Sequence, residues 1–158
     1  MKPHICILIP AYNPDHKLLV LINELQQNES LNLNFASVQI VIINDGSFKK
    51  ESLSSLKKVG LIQGVQLIDH PKNLGKGAAI KSAVPYIRGD IIAIQDADFE
   101  YRPIDLNKLI KVMIKKNLNV VYGSRVLNKK RYGNSSFISN FRVLGNHVLT
   151  TLSNLFNN

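Results

Sequence analysis

The sequence holds a single cysteine, Cys6, set inside an apolar run. A disulfide framework within the chain is thereby excluded, and a cysteine-rich zinc cluster has too few ligands to form. Cys6 reads as a small core residue in a reducing compartment, which points to the cytoplasm. No stretch reaches the ~20 apolar residues that span a bilayer. The run Ile5-Cys6-Ile7-Leu8-Ile9 is too short for a signal-peptide core with its cleavage site, and reads as a first strand. Internal repeats and low-complexity segments are missing. His4, His16, His70 and His147 show no metal-ligand spacing and receive no role. Acidic residues are few, 11 against 20 Lys and Arg, which leaves a formal net charge of +9. Such a balance favours anionic partners, whether nucleic acid, phosphorylated small molecules or an acidic membrane surface, without choosing among them.

What remains is ordinary globular material. The chain has 158 residues, 45% hydrophobic and 20% charged, enough for one domain with a real core. Strand-like and helix-like patterns alternate along it. Residues 4–10 are apolar and β-branched, followed by helical spacing of Leu18, Leu19, Ile22 and Leu25, with Asp15 as N-cap behind Pro14. Val38 to Ile43 gives a second strand, closed by Asn44-Asp45-Gly46-Ser47, and Glu51 to Val59 a short helix. Val65 to Ile68 gives a third strand, ending at His70-Pro71. Gly75 to Tyr86 is a helix of small residues, and Ile91 to Ile94 a fourth strand. Pro103 opens a helix carrying Leu106, Leu109, Ile110 and Met113. Val120-Val121-Tyr122 reads as a fifth strand.

Continuous Val/Ile runs separated by helices predict an α/β fold, a mainly parallel Rossmann-like sheet covered on both faces. Ligands of such sheets bind outside the carboxyl ends of the strands. Asn13, Asp45, Asp96, Asp98 and Arg125 all fall just after a strand and are therefore expected on one edge. The domain is expected over 1–127. A basic, glycine-containing loop follows over 128–136, with Lys129, Lys130 and Arg131. An amphipathic helix then covers 137–158.

Asp96-Ala97-Asp98 carries the sharpest chemistry. Two carboxylates one residue apart repel each other unless a cation neutralises them, and Mg2+ or Mn2+ held so keeps positions open for substrate phosphates. Glu100 adds a third oxygen. The bland alternative is a solvated turn. Asp45 can accept a hydrogen bond from a nucleobase, or simply cap an Asx turn. Pro10-Ala11-Tyr12-Asn13 sets an aromatic and an amide at the end of the first strand, where Tyr12 either stacks on a base or joins the core. Asn73-Leu74-Gly75-Lys76-Gly77 opens a helix whose N-terminus and Lys76 suit a phosphate. It matches neither the Walker A spacing nor G-x-G-x-x-G. Arg125, after Gly123-Ser124, is placed to reach a phosphate.

Taken together, Ile9-Pro10-Ala11-Tyr12-Asn13, Asn44-Asp45-Gly46-Ser47, Asn73-Leu74-Gly75-Lys76-Gly77-Ala78, Asp96-Ala97-Asp98-Phe99-Glu100 and Gly123-Ser124-Arg125 resemble glycosyltransferase family 2. Within it the chain is most similar to the dolichyl-phosphate mannose synthase branch and its bacterial relatives. The resemblance implies a GT-A fold, a GDP-mannose or UDP-glucose type of donor, a divalent metal and inversion at the anomeric carbon. It further implies a polyprenyl-phosphate acceptor. Pro10, Tyr12 and Asp45 would cradle the nucleotide. Asp96, Asp98 and Glu100 would hold the metal, and Arg125 would meet a donor or acceptor phosphate. Loop 128–136 would serve the acceptor, and the helix from Phe137 would lie at the cytoplasmic face of a membrane. Relatives continue past the position of Asn158, so a C-terminally truncated enzyme is expected. A non-catalytic nucleotide-sugar-binding fragment is the alternative.

A sugar-phosphate nucleotidyltransferase is a further alternative. It calls for a G-x-G-T-R-like loop after the first strand, which Ile9 to Asn13 does not supply. Nucleic-acid binding is not expected, because Lys108, Lys111, Lys115 and Lys116 on a helix and Lys129 to Arg131 on a loop lie without an interleaved aromatic platform. They read as a solvated face or an anionic-lipid contact.

Overall fold

The structure, a computed structural model, describes residues 1–123. Arg125, the 128–136 loop and the helix expected from Phe137 lie outside the described residues. Met1–Val121 makes one compact unit.

Four strands form its sheet in the order β3-β2-β1-β4: β1 His4–Ala11, β2 Ser37–Asn44, β3 Val65–Asp69 and β4 Ile91–Ile94. Every pairing is parallel, with Ile7 opposite both Ile40 and Ala93, and Ile42 opposite Leu67. Parallel strands need crossovers, and helices supply them: α1 Lys17–Gln26 and α2 Glu29–Asn34 between β1 and β2, α3 Lys50–Gly60 between β2 and β3, and α4 Lys76–Ala83 between β3 and β4; α5 Pro103–Lys116 follows β4.

Alternation along β1 divides the core between the two faces. Ile5, Ile7, Ile9 and Ala11 pack with Leu18, Leu21, Ile22 and Leu25 of α1, Leu56 and Val59 of α3, and Leu106 and Ile110 of α5. Cys6 and Leu8 point the other way, against Val41, Ile43 and the small residues Ala79 and Ala83 of α4. Small side chains on α4 let its backbone approach the sheet closely, as the sequence led us to expect. Each fully buried Ile or Leu contributes about 2 kcal/mol. The parallel, two-faced Rossmann-like sheet is thus the one the continuous apolar runs implied.

Four local details differ from the sequence reading. His16, not Asp15, is the N-cap of α1, and Asp15 instead accepts the Lys17 N–H at 2.7 Å. Helix α2 is additional; Asn28 caps it by accepting from Leu31 N–H at 3.2 Å, and buried Leu31 and Phe35 anchor its polar sequence. The small-residue helix stops at Ala83 and passes into a 3-10 turn, Val84–Tyr86. Pro85 lacks the N–H and its ring opposes the carbonyl one turn back, so the α-helix cannot run on to Tyr86. Val120-Val121-Tyr122 forms no strand among the described residues. Three apolar residues are too few to hold a strand without a flanking partner, and Val120 and Tyr122 are exposed.

Candidate functional site

The chain moves outward from β1 through β2 to β3, then crosses back to place β4 on the other side of β1. The order of connection reverses between β1 and β4, and a crevice opens there outside the carboxyl ends of the strands. A cavity of about 400 Å3 occupies that position. Pro10, Tyr12, Asn13, Pro14 and Asp15 line it from the end of β1, and Asp96, Ala97 and Asp98 from the end of β4. Five expected residues, Pro10, Tyr12, Asn13, Asp96 and Asp98, therefore meet in one cavity.

The strand ends that build this edge are tied together. Asp45 N–H donates to Ala11 carbonyl at 2.8 Å, His70 N–H to Asn44 carbonyl at 2.9 Å, and Gln95 N–H to Leu8 carbonyl at 3.0 Å. Asn13, at a positive φ of 47°, turns the chain away from β1. Its N–H donates to Ser47 Oγ at 2.8 Å, and its side-chain oxygen accepts from the N–H groups of Phe48 and Lys49 at 3.0 and 3.1 Å. Asn13 thus lines the cavity while its side-chain oxygen anchors the start of α3.

The acidic turn is equally built. Gln95 is buried and its amide donates to Tyr101 carbonyl at 2.8 Å, closing the loop that carries Asp96 and Asp98. Asp98 Oδ1 accepts the Glu100 N–H at 3.0 Å. Phe99, at φ 61°, packs against the core beneath the turn. Asp96 pairs with the ammonium of Lys76. Glu100 is not one of the residues lining the cavity, and no group of three His, Cys, Asp or Glu is arranged to hold a metal among the described residues. Two cavity-facing carboxylates do suit a small divalent ion that retains water and takes its other ligands from phosphate oxygens.

Asp45 directly follows β2, as expected, with its carboxylate turned to protein groups. It is buried, and it does not line the cavity. Its Oδ1 accepts Leu74 N–H at 2.9 Å and meets His70 Nδ1 at 2.8 Å, while Oδ2 accepts Gly75 N–H at 2.8 Å. Burial pushes the Asp45 carboxyl up, but the Leu74 N–H, the His70 ring and the Gly75 N–H outweigh it and hold the pKa below the ordinary value. Asp45 therefore fixes the loop that leads into Lys76. Gly46 beside it has φ +70°, and a Cβ there would sit 2.2 Å from the Lys72 carbonyl carbon, so the turn requires glycine.

Two residues of this edge escaped the sequence reading. His70 joins Asp45 to Ser82, its Nε2 lying 2.8 Å from Ser82 Oγ. It follows a strand just as Asp45 does, and the strand-end rule applied to it would have marked it. Phe48 stands beside Tyr12 with ring centroids 6.3 Å apart and tilted by 59°. Both rings are exposed, and of the two Tyr12 lines the cavity.

Comparison with known proteins gives this geometry a family. Residues 6–156 match Glycosyl transferase family 2. The chain is 32% identical over 163 residues to "Dolichyl-phosphate beta-glucosyltransferase ALG5D" of Trichomonas vaginalis, covering 96% of this chain and 50% of that protein. It is 28% identical to the "UDP-N-acetylglucosamine--dolichyl-phosphate N-acetylglucosaminyltransferase" of Methanococcus voltae, covering 94% and 62%. The chain thus spans about half to three fifths of the length of these relatives. Among solved structures it resembles the mannosyltransferase PcManGT from Pyrobaculum calidifontis in complex with GDP-Man and Mn2+. That likeness has a TM-score of 0.58 at 18% identity and covers 72% of this chain and 33% of that one. The shared fold is the GT-A, Rossmann-like arrangement. On the family match and the ordered motifs together, the chain belongs to glycosyl transferase family 2.

Proposed function

We propose that this chain carries the donor site of a hexosyltransferase. It would take a nucleoside-diphosphate sugar of the GDP-mannose or UDP-glucose type and pass the sugar, with inversion, to a polyprenyl phosphate. The observation that carries the reading is the convergence of Asp96 and Asp98 with Pro10 and Tyr12 in one cavity at the switch between β1 and β4. An aromatic and a proline on one wall suit a base and ribose. Two carboxylates on the other suit a metal–diphosphate.

In this reading Asp96 and Asp98 hold Mg2+ or Mn2+, and Glu100 supports them by fixing Asp98 through its backbone N–H. When bound, the ion supplies Lewis-acid neutralisation of the diphosphate leaving group. Tyr12, with Phe48 beside it, offers a stacking face to the base. Asn13 and Asp45 hold the walls in place, and Lys76 stands at the carboxylate edge. A phosphate acceptor is already anionic near neutral pH, so the reaction needs positioning more than a general base. Arg125, after the described residues, is assigned a phosphate contact by its motif alone. The names of the relatives support the acceptor class, since both end in transfer to dolichyl phosphate. No helix among the described residues is long and apolar enough to cross a membrane, and contact with an acidic membrane surface would rest on the basic residues beyond α5.

Incubation with Mn2+, labelled UDP-glucose or GDP-mannose, and a short polyprenyl phosphate tests the transfer. Labelled glycolipid supports it. Saturable donor binding with no product leaves the alternative, a donor-binding fragment. The absence of donor binding removes both.

A further inference from the structure

Lys76 is the first residue of α4, and its ammonium reaches across to the Asp96 carboxylate at the end of β4. Of the two cavity carboxylates Lys76 pairs with Asp96, while Asp98 Oδ1 accepts the backbone N–H of Glu100. The contact is not an accident of a loose side chain. Gly75, at φ +89°, turns the chain into α4. The N–H groups of Leu74 and Gly75 are fixed on Asp45 at 2.9 and 2.8 Å, and Asp45 is in turn held by His70. The backbone that presents Lys76 is therefore clamped to the end of β2 while its side chain remains half exposed.

We propose that Lys76 is a resident counter-cation for Asp96, which a divalent metal must displace. This rests on the metal–diphosphate reading of the cavity. In the protein without metal, the ammonium neutralises one of two neighbouring carboxylates and so prevents Asp96 and Asp98 from repelling each other. The same ammonium opposes a bare divalent ion, because two cations would share one carboxylate. A metal arriving with a nucleoside diphosphate brings its own negative charge, which gives the displaced ammonium a new partner. Metal and nucleotide should then bind with strong mutual support, while metal alone binds weakly. The half-exposed ammonium can move without disturbing the core.

The test is calorimetric titration of the full chain with MnCl2, alone and in the presence of UDP or GDP. Lys76→Met, Lys76→Arg and Asp96→Asn are compared with the wild type, and thermal melts confirm that each variant is folded. Removing one full charge from beside a divalent ion near a protein surface is worth on the order of tenfold in affinity. Lys76→Met is expected to bind Mn2+ alone about tenfold more tightly than the wild type and to lose most of the gain that UDP or GDP confers. Lys76→Arg, which keeps the charge, should stay near the wild type. If Asp96→Asn weakens Mn2+ binding but Lys76→Met leaves both the affinity and the nucleotide gain unchanged, the counter-cation proposal is overturned and the donor-site reading stands. If Asp96→Asn has no effect on Mn2+ binding with or without nucleotide, the donor-site reading itself fails.

Discussion

His70 Nδ1 lies 2.8 Å from Asp45 Oδ1, joining the end of β3 to the end of β2. The His70 ring continues to Ser82 of α4, and Asp45 continues to the backbone of Leu74 and Gly75. This pair thus ties the ends of β2 and β3 to the Leu74–Gly75 backbone and to the Ser82 side chain of α4.

Asp45→Asn removes a carboxylate that accepts from the Leu74 and Gly75 N–H groups and meets the His70 ring, and should cost roughly 3 kcal/mol at neutral pH. The pH dependence has a definite sign. The folded-state pKa of Asp45 is depressed, so its stabilisation is fully present above the ordinary carboxylate value of about 4. It is lost as the pH falls through the lower folded value. Urea denaturation from pH 7 down to pH 2 should show the wild type and Asp45→Asn converging in acid. A constant gap between them would contradict the account.

Gly46→Ala should be among the most damaging single-methyl additions within the described residues. The new Cβ would meet the Lys72 carbonyl carbon at 2.2 Å, on a backbone with φ +70°. Backbone strain and displacement of the Lys72–Asn73 segment together should cost about 3 kcal/mol or more, read as a fall in thermal midpoint. Gly77→Ala, whose Cβ would meet nothing within 4 Å, is the control and should be neutral or slightly stabilising.

Tyr12→Ala removes the ring that lines the cavity and loses its neighbour Phe48. Stacking of a base on an aromatic face is worth about 1–3 kcal/mol. UDP or GDP affinity should therefore fall by about tenfold or more, while Tyr12→Phe stays close to the wild type. Fluorescence anisotropy with a labelled nucleotide reads both. Equal loss in Tyr12→Phe would place the contribution on the hydroxyl rather than the ring.

Much of this fold was legible from residue pattern. Apolar runs marked all four strands within a residue or two; β1 and β2, buried over most of their length, read as continuous runs, while the edge strands β3 and β4 are only partly covered. Asn13, Asp96 and Asp98 were legible as an edge because strand ends carry function in this architecture. What was not legible depended on contacts across the sequence. Helix α2 escaped because its residues are mostly polar, and only Leu31 and Phe35, seated on the core, hold it. The role of Asp45 turned on Leu74, Gly75 and His70, residues 25 to 30 positions away. In sequence its carboxylate reads as a turn cap or a nucleobase acceptor, and in the structure it accepts from Leu74 and Gly75 and meets His70. His70 has no metal-ligand spacing in the sequence, and its partners, the Asp45 carboxylate and the Ser82 hydroxyl, become visible only in the fold. The expected strand at Val120 failed because an apolar run of three residues carries no information about whether a partner strand lies beside it.

The central claim is that Asp96 and Asp98 together hold a metal-bound diphosphate. Thermal shift of the wild type and of Asp96→Asn and Asp98→Asn, with UDP-glucose and GDP-mannose, each with and without Mn2+, tests it most directly. The account predicts a wild-type stabilisation by one of the two donors that requires Mn2+, and its loss in both variants, with melting in the absence of ligand little changed. A stabilisation by donor that persists in both variants, or no Mn2+-dependent shift with either donor in a folded wild type, would contradict it.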